Sequence, residues 1–226
     1  MKELSALMAE KLLNLKTIKV QVQNPFEWNT GWMSPLYFDS RKILSYRIRN
    51  AVKVELARLI MENYPTVEAV VAVAPNGIAI GVLVAEVLEM PFAYVSTEPK
   101  NHGFENRIEG DLKVHQKVVI VADQLSQGVH SVSVKQVLEQ NGADVLGMVS
   151  ILDYQLQDSA DVLREAGLEI HSLTSYTTVM NEALEMGKIT EAEAEEINRW
   201  HATPDKWQAV PQKSKDRLTA KRKRNN

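Results

Sequence analysis

The sequence predicts an α/β protein in which helices cover both faces of a central, mainly parallel sheet. Three predominantly apolar segments carry this reading: "VEAVVAVA" (67–74), "KVVIVA" (117–122) and "ADVLGMVSIL" (143–152). Each is followed by a stretch of helical periodicity. Strands that are apolar throughout, rather than alternating, are buried on both faces. At 226 residues the chain is long enough for one such domain with a sizeable core.

The elements follow in order. Residues 2–15 place Leu4, Leu7, Met8, Leu12 and Leu13 at helical spacing. "TIKVQV" (17–22) alternates and suits a strand. "NPFEWNTGWMSPLYFDSRK" (24–42) is rich in Pro, Gly and Asn and reads as a loop or hairpin. Residues 46–63 set Val52, Leu56, Leu59 and Ile60 on one helical face. The rhythm then runs strand 67–74, helix 76–89, strand 91–96, a polar loop 97–114, strand 117–122 and helix 130–142. Strand 143–152, helix 159–167 and a last strand 168–173 complete it. Two helices come after Thr174, the second opened by a capping box of Thr190 and Glu193. There is no internal repeat. The expected organisation is a single domain over 1–207, with a small N-terminal hood (about 1–45), a core (46–207) and a basic, disordered tail (208–226).

Composition narrows the function. Apolar residues make up 45% and charged residues 24%, as in ordinary soluble domains. With no cysteine, disulfides, a cysteine nucleophile and thiolate metal sites are excluded. The N-terminal segment carries Glu3, Glu10 and Lys11 among its apolar residues, so it reads as an amphipathic helix rather than a signal peptide. No apolar run approaches the ~20 residues that span a bilayer, and a cytoplasmic setting is expected. Residues 213–226 hold seven Lys/Arg and one Asp, a charge of +6, so the net charge of −3 leaves −9 on residues 1–212. An acidic body argues against broad nucleic-acid binding. Only the tail offers a contact for nucleic acid or an acidic partner, and such runs ordinarily stay solvated.

In sheets of this kind ligands bind beyond the carboxyl ends of the strands, and three loops meet that condition. In "VAPNGIAIG" (73–81), Pro75, Asn76 and Gly77 precede a helix whose free N–H groups could hold an anion; ordinary turn chemistry explains the same residues. In "ADQLSQGVHS" (122–131), Asp123 could hold a hydroxyl or a magnesium ion. Ser126, Gly128 and the N–H groups from Val129 onward could cradle a phosphate, or Asp123 and Ser126 could simply cap backbone donors. "STEPKNHGFENRIEGD" (96–111) is long enough for a flexible lid, with Lys100 and His102 as cation and acid–base groups; a surface loop is the alternative. No His-x-x-x-His pair, carboxylate cluster, G-x-G-x-x-G or Walker loop is present, so no metal site made by the protein alone is expected.

Together these loops resemble the type I phosphoribosyltransferases, and more narrowly the orotate phosphoribosyltransferases. The resemblance rests on "FEWNTGWMSPLYFDSRKILSY", "KNHGFENRIEGDL", "QKVVIVADQLSQG" and "GADVLGMVSI", and covers about 4–207. It implies the type I fold and transfer of phosphoribose from phosphoribosyl pyrophosphate to orotate in pyrimidine nucleotide synthesis. It also implies Mg²⁺ bound mainly through substrate, and a homodimer whose lid serves the neighbouring site.

Carried over by position, Lys100, His102 and Asp123 are the implied catalytic groups, Lys100 and His102 being the lid's lysine and histidine. Asp123 is the second acid of an acid pair. Ser126, Gln127, Gly128, Val129, His130 and Ser131 form the phosphate cradle, and Pro75, Asn76 and Gly77 the pyrophosphate loop. Tyr37, Phe38 and Ser126 would meet orotate.

The departures fall on site positions. Ala122 stands for the first acid, and Val129 for a Gly or Thr. A β-branched residue could not follow a glycine there if that glycine needs positive φ. Gln127 and His130 are unusual in the cradle, although a protonated His130 would offer it a cation. Against the family pattern that the resemblance implies, Ser96 replaces a lid arginine, Thr97 and Glu98 stand where a further lysine belongs, Asn101 replaces an Asp, and Met33 replaces a lysine. One lost charged contact to a transition state costs roughly 2–4 kcal/mol, about 10² to 10³ in rate. Two expectations therefore stand: an orotate phosphoribosyltransferase, or a catalytically impaired paralogue acting as a ligand sensor or as a protein- or RNA-binding partner.

Overall fold

The computed structural model describes residues 3–28, 31–96 and 107–208. The chain opens with α1 (Leu4–Asn14), which buries Met8, Ala9, Leu12 and Leu13. The stretch read as a loop or hairpin contains three short strands. β1 (Ile18–Val20) pairs antiparallel with β4 (Leu36–Phe38), Lys19 opposite Tyr37, while β2 (Phe26–Glu27) pairs with β3 (Met33–Ser34). The backbone N–H of Asp39 extends the first ladder by donating to Thr17 O at 2.7 Å. A 3₁₀ turn (Ser40–Leu44) then leads into α2 (Tyr46–Asn63).

The core is a six-stranded sheet. Its strands are β5 (Ala69–Val73), β6 (Phe92–Val95), β7 (Ile108–Glu109), β8 (Lys117–Leu125), β9 (Asp144–Asp153) and β10 (Ile170–Ser175), in the order β10–β9–β8–β5–β6–β7. Every neighbouring pair is parallel except β6 and β7. The crossovers are α3 (Ile78–Leu88), α4 (Val129–Gln140) and α5 (Gln157–Glu165), and α6 (Tyr176–Glu185) and α7 (Glu191–Ala202) close the described chain. The capping box of Thr190 and Glu193 is present at α7.

Two expectations change. The polar stretch after β6 is not loop throughout: Ile108 and Glu109 return as an edge strand opposite Val95 and Tyr94. Two residues are too few to show a period. Strand β8 does not stop at Ala122 but runs to Leu125, because its ladder with β9 continues through Gln124 opposite Leu152 and Leu125 opposite Asp153. Asp123 therefore sits on a strand, not in a loop.

Alternation along β8 divides the core. Val119 and Val121 join the apolar layer formed with α1, α2, α3, α6, α7 and the hood residues Ile18, Leu36 and Phe38. Val118, Ile120 and Ala122 face the opposite layer, with Val134 and Leu138 of α4 and Leu163 of α5. Each fully buried Val or Ile contributes about 1.5–3 kcal/mol relative to exposure, and β8 fills both layers with them. The C-terminal helix joins the first layer through aromatic rings. Trp28 meets Tyr154 edge-on at 5.1 Å and Trp200 at 5.7 Å, so the hood is pinned to the end of β9 and to α7 together. The tail segment 209–226 lies outside the described residues.

Candidate active site

Beyond the carboxyl ends of β5 and β8 the sheet meets the 3₁₀ turn of the hood. Between them lies a cleft of about 140 Å³ bounded by Ser40, Arg41, Pro75, Asn76 and Asp123, with Ile80 and Ile151 among its apolar walls. Its position is that of ligand sites in open α/β sheets. The structure thus brings together Pro75, Asn76 and Asp123 from two of the loops singled out in the sequence. To these it adds Ser40 and Arg41.

Asp123 is the most constrained group in the cleft. Its residue is 9% exposed. Oδ1 accepts the backbone N–H of Gln124 at 3.0 Å, whereas Oδ2 is buried without a hydrogen-bond partner. Burial pushes the carboxyl above the usual aspartate range; the nearby side chains of Ser40 and Asn76 and the local backbone N–H groups oppose that push only partly. Ser40 and Asn76 pull on the charge, yet neither completes a hydrogen bond to Oδ2. A buried acceptor left unmet costs about 1–3 kcal/mol. A ligand hydroxyl or a cation arriving here would remove that penalty.

Two helices point their N-termini at this end of the sheet. Gly77 caps α3 and Gly128 caps α4, and neither helix has a side-chain cap. Their first-turn N–H groups lack intrahelical acceptors and carry the positive end of the helix dipole, which suits an anion. Gly77 has no room for a side chain: a Cβ there would lie 2.6 Å from Val73 O and 2.8 Å from Val121 O. Gly128 is instead required by its backbone, with φ at +79°.

That last fact removes the backbone objection to Val129. Positive φ falls on Gly128, which is retained, and Val129 is the first residue of α4, outside the left-handed region. Val129 therefore takes its place without backbone strain. Its side chain is largely exposed, as is that of His130, while Ser131 is buried on the first turn of α4. Ser126 and Gln127 are half-buried in the bend between β8 and α4. These residues adjoin the cleft in sequence but do not line it. Ala122 is 3% exposed within the α4-side apolar layer. Consecutive strand residues face opposite sides of a sheet, so an acid at 122 would not share Asp123's wall.

The hood pair divides for the same reason. Tyr37 is half-buried and its ring packs on Phe26 at 5.1 Å, with Lys19 Nζ 5.8 Å from its centroid. Phe38 points the other way into the core at 3% exposure, and its side chain does not line the cleft. Met33 lies on the β2–β3 hairpin opposite Glu27 and does not line the cleft. Lys100 and His102, with Thr97, Glu98 and Asn101, lie outside the described residues. At the edges of that segment, Ser96 N–H donates to Arg107 O at 2.8 Å. Arg107 Nε donates to Ser96 O at 2.9 Å, and its Nη2 to Ser133 Oγ of α4 at 3.2 Å.

Sequence reasoning missed three residues here. Ser40 and Arg41 were within a quoted stretch, and the Asp39-x-Arg41 spacing was the available signal. Tyr154, just past β9, had no local signal. Its buried hydroxyl sits near the Phe38 backbone, Tyr37 and Asp123, and burial first, then the Asp123 charge and Tyr37, raises its pKa. Among the described residues no group of three His, Cys, Asp or Glu could hold a metal ion, and no helix is long and apolar enough to cross a membrane.

Comparison with known proteins gives a consistent result. No family model matches the chain. Orotate phosphoribosyltransferase of Phocaeicola vulgatus is 42% identical over 210 residues, covering 92% of this chain and 99% of that protein. The protein of the same name from Bacteroides thetaiotaomicron is 43% identical over 210 residues, with the same coverage. Among solved structures, orotate phosphoribosyltransferase from Aeropyrum pernix superimposes with a TM-score of 0.69 at 24% identity, over 81% of this chain and 99% of that one. Leishmania donovani UMP synthase gives a TM-score of 0.74 at 20% identity over 87% of this chain, which spans 42% of that longer protein. These two structural likenesses establish the fold.

Proposed function

The chain belongs to the orotate phosphoribosyltransferase family, and on that footing we propose that it transfers phosphoribose from phosphoribosyl pyrophosphate to orotate within the cleft. The C1′–O bond to pyrophosphate breaks, the bond from C1′ to the ring nitrogen of orotate forms, and that nitrogen gives up its proton. The ribosyl group passes through a state resembling an oxocarbenium ion beside a departing polyanion, so positioning and charge supply most of the rate.

The single observation that carries this reading is Asp123: a buried carboxyl with Oδ2 unmet, at a strand end between two uncapped helix N-termini. Ribose hydroxyls would donate to it and fix the ring. Its negative charge would then face the positive charge that develops on the sugar. The N–H groups of the Gly128–Ser131 turn suit the 5′-phosphate, and those following Pro75 suit the pyrophosphate. Tyr37, on the hood strand beside the cleft's 3₁₀ turn, would cover the base.

The chain's residues also fit Mg²⁺ delivered by substrate. Asp123 would offer the ion one carboxylate oxygen, and substrate phosphates and water would supply the rest. When bound, the ion would offset the charge of the pyrophosphate. A homodimer belongs to the same proposal: Leu44 at the cleft and Tyr46 just beyond it, 44% and 76% exposed, present apolar surface that a second copy would cover. A cytoplasmic site of action fits as well.

Incubation with orotate, phosphoribosyl pyrophosphate and Mg²⁺ should yield orotidine monophosphate and pyrophosphate in equal amounts. Calorimetric binding of the substrates without product would overturn catalysis and leave a ligand-holding protein.

A further inference from the structure

Arg41 projects from the 3₁₀ turn into the wall of the cleft. Its Nε donates to Asp39 Oδ1 at 2.8 Å, and Lys19 Nζ donates to Asp39 Oδ2 at 3.1 Å. Asp39 is buried beneath the two cations, and they hold its carboxyl below the usual range, Arg41 first. One carboxylate shared by two cations leaves this corner of the hood with a net positive charge. The arrangement also orients Arg41. Its inner nitrogen is tied, and among the described residues Asp39 is its sole hydrogen-bond partner. The Nη1 and Nη2 groups therefore keep their donors for a ligand, in the planar fork that suits phosphate and carboxylate oxygens.

We propose that Arg41 is a further substrate-binding residue that grips the diphosphate of phosphoribosyl pyrophosphate, the group that departs in the transfer. The inference rests on the proposed function, and three observations favour the diphosphate over the carboxylate of the base. Arg41 shares its cleft with Pro75 and Asn76, just before the uncapped N-terminus of α3, so two positive features meet at one corner. Asp123, in the same cleft, has an unmet buried oxygen. The ligand that satisfies both ends carries hydroxyls next to a concentrated negative charge, as a sugar diphosphate does. The Arg41 side chain is 76% exposed, which suits a group that leaves into water.

The test is calorimetric titration, with Mg²⁺ present, of the full chain and of Arg41→Gln, Arg41→Lys and Asp39→Asn with three ligands. These are phosphoribosyl pyrophosphate, inorganic pyrophosphate and orotidine monophosphate. Hydrogen bonds to charged groups contribute about 1.5–3 kcal/mol, so Arg41→Gln should weaken both diphosphate ligands by roughly 10- to 100-fold. Orotidine monophosphate, which has no diphosphate, should bind within about twofold of the unaltered protein on the same reasoning. Arg41→Lys should recover part of the loss, and Asp39→Asn, which keeps the cation but frees it, should lose less than Arg41→Gln. Thermal melting of each variant checks that it is folded.

Equal weakening of orotidine monophosphate, or no weakening of the diphosphates, would overturn the role of Arg41 while leaving the proposed function standing. An unaltered protein that binds neither phosphoribosyl pyrophosphate nor orotidine monophosphate would remove the proposed function, and this role with it.

Discussion

At Asp123 the needs of folding and of binding are opposed. Burial raises its pKa, so the folded protein holds this proton more tightly than the unfolded chain does. Stability therefore falls as pH rises from the unfolded value through the folded one. Asp123→Asn, which cannot ionise, should melt at a higher temperature than the unaltered protein at pH 7, with the gap closing below the unfolded pKa. The same variant should lose about 10² to 10³ in turnover. On acidification, kcat/KM should begin to fall at a pH above the ordinary aspartate range. A variant that melts lower at pH 7 would show that Asp123 has partners the structure does not give it. The glycines separate in another way. Gly77→Ala drives a Cβ against two backbone carbonyls and should cost more than Gly128→Ala, which meets nothing closer than 3.5 Å and carries only the left-handed penalty of about 1–2 kcal/mol. Urea unfolding of the two variants would rank them. Asp123 was legible because an acid after an apolar strand is a visible pattern. Arg41 was not, because its significance depends on Asp39 and on a cleft made from distant segments.

At the level of elements, the continuous apolar runs revealed β5, β8 and β9, and helical spacing revealed α2 with the ends it has in the structure. The places where the reading slipped are those where pairing, not sidedness, decides. Strand β8 overruns its apolar run because β9 continues beside it, and β7 exists only as a partner for β6. The hood strands are two or three residues long and are held by packing against the core rather than by their own pattern. That packing reaches α7 through Trp28, Tyr154 and Trp200. Trp200 is fully buried, and Trp200→Ala should lower the free energy of unfolding by about 3–5 kcal/mol. Because its ring also supports Trp28, KM for orotate should rise before the fold is lost. An unchanged urea midpoint would show that the aromatic contact carries no stability.

Across the whole molecule, charge separates the body from the tail. The body is anchored up to Trp207, whose Nε1 donates to Glu196 Oε1 at 2.8 Å, and the +6 segment begins six residues later. Truncation after Gln212 should leave melting and turnover unchanged, while any salt-sensitive association with nucleic acid should vanish. Retained association would place that contact on the acidic body. The departures at Ala122 and Val129 weigh less in three dimensions than in one: Ala122 faces the opposite side of the sheet from the cleft, and Val129 sits in helical backbone beyond a retained glycine. The retained frame thus centres on Asp123, and the most direct test is a progress curve of orotate absorbance with phosphoribosyl pyrophosphate and Mg²⁺, run in parallel for the unaltered protein and Asp123→Asn. Consumption of orotate by the unaltered protein, with a rate at least about 10²-fold lower for the variant, is the predicted result. Constant orotate absorbance at enzyme concentrations equal to substrate, or equal rates for the two proteins, would contradict it.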